Sequence, residues 1–242
     1  MTFSMKFIHR APVQTPRAFT LIELLVVITI IAVLAGLLTS AAGSVRANSQ
    51  RTKCASNMRQ IGIGLNLYAN DHAGDFPQSM HTTEDEHEAW VWLLKPYLSN
   101  VDEVRICPAD PKAEERRAAK GTSYILNEYL VVPLTDPFGA VKESFTNRYR
   151  LNRPAQTIAA FIGADSLDVG LSADHTHSRN WKTWRRVLQD IQPDRHRSGA
   201  ANEDRTRGSA NYLFADGHVE TIEAAEVKRR IDAKEPFARP PE

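Results

Sequence analysis

The chain has 242 residues, with 30 Lys and Arg against 29 Asp and Glu. That length suits one domain of moderate size plus an extension, and the charge balance gives no support to nucleic-acid binding. No phosphate loop, nucleophile elbow or His-Glu-x-x-His is present, so no enzyme motif is legible.

The first 18 residues carry Lys6, Arg10 and Arg17 and no acid. Without them 27 basic residues face 29 acidic ones, a net charge of −2. From Phe19 to Thr39 follows an apolar run of 21 residues, in which Glu23 is the one charge. That is spanning length. A carboxylate there costs on the order of 3 kcal/mol, so it marks a function by default. The basic start predicts a cytoplasmic N-terminus and an exported remainder, although Arg46, Arg51 and Lys53 beyond the run weaken the bias. A secretory signal cut near Ser40-Ala41-Ala42 is the competing reading, and a plain signal anchor is the third. Against the first, a signal core is only about 7–15 residues long and does not hold a carboxylate.

No Pro occurs between Pro16 and Pro77, and Ala55, Met58, Gly62, Leu65 and Ala69 fall on one helical face. One helix is predicted from Phe19 to about Asn70, stopped by Asn70-Asp71-His72-Ala73-Gly74. At 1.5 Å per residue it is roughly 78 Å long. A bilayer core takes about 30 Å of that, which leaves the second half to pack on a head. Gly36 and Gly43 weaken it locally.

Further along, Glu88–Leu94 reads as a short helix, and 123–132 and 157–163 as strands. Residues 209–214 and 218–222 read as a hairpin about Asp216-Gly217, and 224–233 as a closing helix. Residues 165–178 and 194–208 read as polar loops. The organisation predicted is a leader at 1–18, a helix at 19–70 spanning the membrane at about 19–39, a head at 71–235 and a flexible tail at 236–242. The fold class is α+β: a long N-terminal helix packed on a small, largely antiparallel sheet.

The segment Ala18-Phe19-Thr20-Leu21-Ile22-Glu23 and the apolar run behind it resemble the class III signal of type IV prepilins and type II secretion pseudopilins. The resemblance implies cleavage by a prepilin peptidase between Ala18 and Phe19, N-methylation of Phe19, and a Glu at mature position five, which is Glu23. Ala18 stands where the family usually has Gly. A second resemblance, to prepilin-type proteins with a processing-associated His…Asp-Gly element, is carried by several head motifs. These are Cys54-Ala-Ser-Asn57, Cys107-Pro108-Ala-Asp110, Ser123-Tyr124 with Asn127, and Asn211-Tyr-Leu-Phe-Ala-Asp216-Gly-His218. In that group the His lies ten residues before the Asp. Here that position is Thr206, and the nearest upstream His is His196, with 202–207 as part of an insertion.

The candidate site residues follow. Glu23 is expected to pair with the new α-amine of Phe19 on a neighbouring subunit, because each charge alone is costly in apolar surroundings. Cys54 and Cys107 are candidates for a disulfide in an oxidising compartment, the alternative being two separate thiols. Their loop length makes such a bridge worth roughly 4 kcal/mol. His196, Asp216 and His218 are the metal candidates. Asp71, His72 and Asp75, and Asp174, His175 and His177, are weaker clusters, read most simply as a helix stop and a solvated loop. Acid-rich loops suit Ca²⁺ and His suits Zn²⁺. Trp90, Trp92, Trp181 and Trp184 read as packing residues.

Taken together, these features predict a structural subunit rather than an enzyme. It would sit single-pass in the inner membrane with a periplasmic or extracellular head. Its partners would be the prepilin peptidase and other pilin-like subunits, with no nucleic acid. The rival reading is an envelope-anchored binding or hydrolytic domain that uses the helix only as a tether.

Overall fold

The computed structural model describes residues 20–80 and 89–242, without the side chains of 37–42. The chain divides after Ala42 into two compact units. Helix α1, Leu21–Asp71, is close to the predicted one at both ends. It ends in a Schellman closure: Ala73 and Gly74 take positive φ of 54° and 96°, and the Gly74 N–H donates to the Ala69 carbonyl at 2.7 Å.

In the first unit, α1 is apolar on every side. Leu21, Ile22, Leu25, Ile28 and Ile31 are all exposed. Among the described residues no helix is long and apolar enough to cross a membrane. The predicted span of 19–39 begins at Phe19 and ends in 37–39, whose side chains lie outside the described residues.

In the second unit, the α1 face buried against the head comprises Cys54, Met58, Ile61, Leu65 and Ala69. The head is built on an antiparallel four-stranded sheet. Its strands are β1 Tyr124–Leu126, β4 Ile158–Ile162, β5 Ser209–Phe214 and β6 Val219–Glu223, in that spatial order. A small ribbon, β2 Leu134–Thr135 and β3 Val141–Glu143, stands apart. Strands β4 and β5 are buried along their whole length, as expected when both faces of a sheet are covered. On one face Leu213 meets α1 at Gly62, where an added Cβ would come within 2.8 Å of its Cδ1. On the other, Tyr212 packs edge-on against Phe161 and Phe237, at 5.9 and 5.6 Å between ring centres. The α+β architecture is therefore as read, including the hairpin at Asp216-Gly217, with Gly217 at a φ of 99°, and the helix α7, Ala224–Asp232.

Several elements differ from expectation. The strand predicted over 123–132 stops at Leu126. Asn127 then caps a short helix, α5 Glu128–Val131, by accepting the Tyr129 N–H at 3.2 Å. The helix predicted over 88–94 is α2, Trp90–Leu93, with Glu88 outside the described residues. Helices α3 Val101–Val104, α4 Ala113–Ala118 and α6 Trp184–Asp190 were not anticipated. The tail predicted to be flexible is not frayed. Phe237 and Ala238 are buried, the Arg230 guanidinium lies 4.9 Å over the Phe237 ring, and the Asn127 amide donates to the Ala238 carbonyl at 2.6 Å. Nor is 165–178 a solvated loop throughout, since Asp174, His175 and Thr176 are buried.

Candidate functional site

At the N-terminus, Ala18 and Phe19 lie outside the described residues. Thr20 and Glu23 form a reciprocal capping box. The Thr20 N–H and hydroxyl donate to Glu23 Oε2 at 2.9 and 2.8 Å, and the Glu23 N–H donates back to Thr20 Oγ1 at 3.3 Å. Thr20 was overlooked as a partner of Glu23. The Thr-x-x-Glu spacing ahead of an apolar run was the available signal.

The second site is in the head. Cys54 comes from the buried face of α1, and Cys107 from the turn that follows α3. The Cys107 loop is fixed from below: its N–H donates to Ser123 Oγ at 3.0 Å, Ser123 Oγ donates to Asp110 Oδ2 at 2.6 Å, and Asp110 pairs with Arg116 at 2.9 Å. His196 arrives from a third direction. Its N–H donates to the Ser209 carbonyl at 2.8 Å, and its carbonyl accepts from the Ser209 N–H at 3.3 Å, at the start of β5. The two Sγ atoms and a ring nitrogen of His196 lie within 4.8 Å of one another, all buried.

The bridge expected between Cys54 and Cys107 is not made in this structure, where both are thiols. Their environments differ. Burial opposes ionisation of Cys54, but hydrogen bonds with Cys107, Tyr124 and Asn211 and the charge of Arg195 outweigh it and bring its pKa down. Burial pushes Cys107 up, as does its neighbour Cys54, against a smaller opposing effect of His196. The Tyr124 hydroxyl, itself driven up by burial, donates to Cys54 Sγ at 3.6 Å.

The predicted grouping of His196 with Asp216 and His218 does not form. Asp216 Oδ1 instead meets His218 Nδ1 at 2.6 Å and accepts the His218 N–H at 3.0 Å, while the imidazole stacks on Phe214. These contacts close the hairpin turn. The weaker clusters are also otherwise engaged. Asp71 accepts from the Tyr97 hydroxyl at 2.7 Å, Asp75 accepts from the Asn147 amide at 2.8 Å, and His72 Nδ1 lies 2.7 Å from the Tyr68 carbonyl. Asp174 and His175 join Ser79 in a buried cluster. Ser79 Oγ and Asp174 Oδ1 both converge on Nδ1 of His175, at 3.0 and 2.7 Å, whereas a Ser-His-Asp relay uses opposite ring nitrogens. Trp90 is fully buried and Trp184 nearly so, in keeping with packing roles.

Compared with known proteins, residues 15–39 match the family model for the prokaryotic N-terminal methylation motif. No curated protein and no solved structure is matched. The motif occupies the N-terminal segment alone and supports, in general terms, a type IV pilin-like, envelope-anchored protein of the kind that a prepilin peptidase processes.

Proposed function

We propose that the chain is made as a precursor, cut between Ala18 and Phe19 and N-methylated on Phe19. It then assembles helix-inward into a type IV pilus or a type II secretion pseudopilus. The observation that carries this is a methylation motif, residues 15–39, whose apolar run holds the single carboxylate Glu23. Residues of about 19–39 cross the inner membrane with the N-terminus in the cytoplasm, and the head lies outside. During assembly Glu23 exchanges its contact with Thr20 for the α-amine of a neighbouring Phe19. A helix docked at the wrong height leaves both charges unpaired, so the pair sets register. The work done is mechanical, with a helix core for polymerisation and a head for lateral contacts.

The test is the intact mass and N-terminal peptide of the protein from its native membrane. A chain that begins at N-methylated Phe19 is expected. A chain that begins at Met1, or near Gly43, would overturn the proposal in favour of a tethered or secreted domain.

A further inference from the structure

We infer that Cys54, Cys107 and His196 form a buried binding site for a single zinc-type divalent cation, independent of the assembly reading above. Three lines of reasoning lead there.

The first is geometry. Two sulfurs and an imidazole nitrogen converge within 4.8 Å. In tetrahedral zinc sites Zn–S is about 2.3 Å and Zn–N about 2.0–2.1 Å, which places donor atoms roughly 3.5–3.8 Å apart. The cluster needs side-chain adjustment only. Its donors are thiolate and imidazole, which select zinc-type ions over the oxygen-seeking Ca²⁺ and Mg²⁺.

The second is hydrogen bonding. His196 is only 7% exposed, and neither ring nitrogen has a hydrogen bond of normal geometry, the Cys107 thiol beside it being a weak partner only. Buried polar side chains are satisfied as a rule, and one left bare in a native structure calls for a reason. A disulfide between Cys54 and Cys107 would leave the imidazole as it is. A metal gives it a bond.

The third is charge. Two thiolates and a neutral imidazole cancel a divalent cation, so the filled site is neutral, the least costly state for a buried cluster. The Arg195 guanidinium nearby is held by Asp165 at 2.6 Å and by the Gly163 carbonyl at 3.0 Å. His196 lies at the edge of an open cavity of about 310 Å³ that is also lined by Arg51, Arg207 and Glu223. The three donors belong to α1, the Cys107 turn and the strand-entry segment. A bound ion therefore ties together parts of the head that are far apart in the sequence, and its binding energy adds to head stability.

The experiment uses the full chain, extracted from membranes in detergent without added reductant, with free thiols alkylated on denaturation. Metal content, intact mass and the cobalt-substituted absorption spectrum are read in parallel. The expected result is one zinc per chain, two alkylatable thiols, and a thiolate-to-cobalt charge-transfer band. His196→Ala and Cys54→Ser should bring retained zinc to background, while His218→Ala keeps it. Far-UV circular dichroism and His196→Asn separate loss of a donor from loss of fold. Any of three results would overturn the inference. These are a metal-free chain two hydrogens lighter with Cys54 and Cys107 cross-linked, a chain with two free thiols that takes up no zinc or cobalt, or zinc retained equally by every variant.

Discussion

Thr20 and Glu23 satisfy one another at the head of α1, through three hydrogen bonds of 2.8 to 3.3 Å. The carboxylate that stands out in an apolar run thus has a partner before any second subunit arrives. Capping and the proposed inter-subunit pairing are then two separable roles of one side chain.

The two roles are distinguished by Glu23→Gln, since Gln at this position still serves a capping box but carries no charge. We expect Glu23→Gln and Glu23→Ala to be processed normally and to assemble poorly. Thr20→Ala should lose about 1 kcal/mol of helix-terminal stability and still assemble. Filament or complex incorporation, scored beside N-terminal processing, checks this. Normal incorporation of Glu23→Gln would remove charge pairing from the account.

Gly62 sits where α1 crosses the Asp216-Gly217 turn. A Cβ there would approach Leu213 Cδ1 to 2.8 Å and the Gly217 Cα to 3.1 Å. Alanine gains about 1 kcal/mol in helix propensity, but overpacking against backbone loses about 1–3 kcal/mol, so the clash should win. Gly43→Ala is the control, because nothing lies within 4 Å of its added Cβ. Chemical denaturation should show Gly62→Ala destabilised and Gly43→Ala unchanged or slightly more stable.

Asp110 and Arg116 form a buried ion pair, with side chains 1% and 3% exposed. Asp110→Ala strands the guanidinium and should cost about 3–5 kcal/mol. Replacing both residues, Asp110→Ala with Arg116→Met, should recover much of that loss. If the double variant unfolds as readily as the single one, the loss comes from the Ser123 contact rather than from a stranded charge.

Asn127 holds the chain end in place. Its amide donates to the carbonyls of Ile158 and Ala238 at 2.7 and 2.6 Å, and its oxygen accepts from Ser178 Oγ at 3.2 Å. Asn127→Ala leaves several buried groups unpaired and should cost about 3 kcal/mol. Deleting the residues after Glu235 removes Phe237 from the core and should lower the melting temperature comparably. A truncated chain as stable as the parent would restore the picture of a loose tail.

What was legible in the sequence was what repeats or sits locally. The α1 face from Met58 to Ala69, the β5–β6 hairpin about Asp216-Gly217 and the stop at Gly74 each rest on a spacing or a turn chemistry. Ser123–Val132 misled because a β-rich run gives no sign of where pairing ends. Asn127 decides that by capping α5. Cys54, Cys107 and His196 carry no mutual spacing at all. They meet because a helix, a turn and a strand entry converge, and tertiary contacts of that kind leave no periodic trace. His175 was misplaced for the related reason that Ser79, which meets it, comes from a distant segment.

The bridge between His196 and Ser209 closes residues 197–208 into a loop that folds on itself, with Asn202 accepting from the Thr206 and Arg207 amides at 3.0 Å each. The bridge fixes its two ends, and the Trp184 indole N–H, donating to the Asp204 carbonyl at 2.6 Å, holds its middle. Doubling such a loop adds only about 0.6 kcal/mol of closure entropy. The interval between a histidine and a downstream Asp-Gly is consequently a poor ruler for their distance in space, and this loop is a splice point where residues can be gained or exchanged while His196 keeps its place.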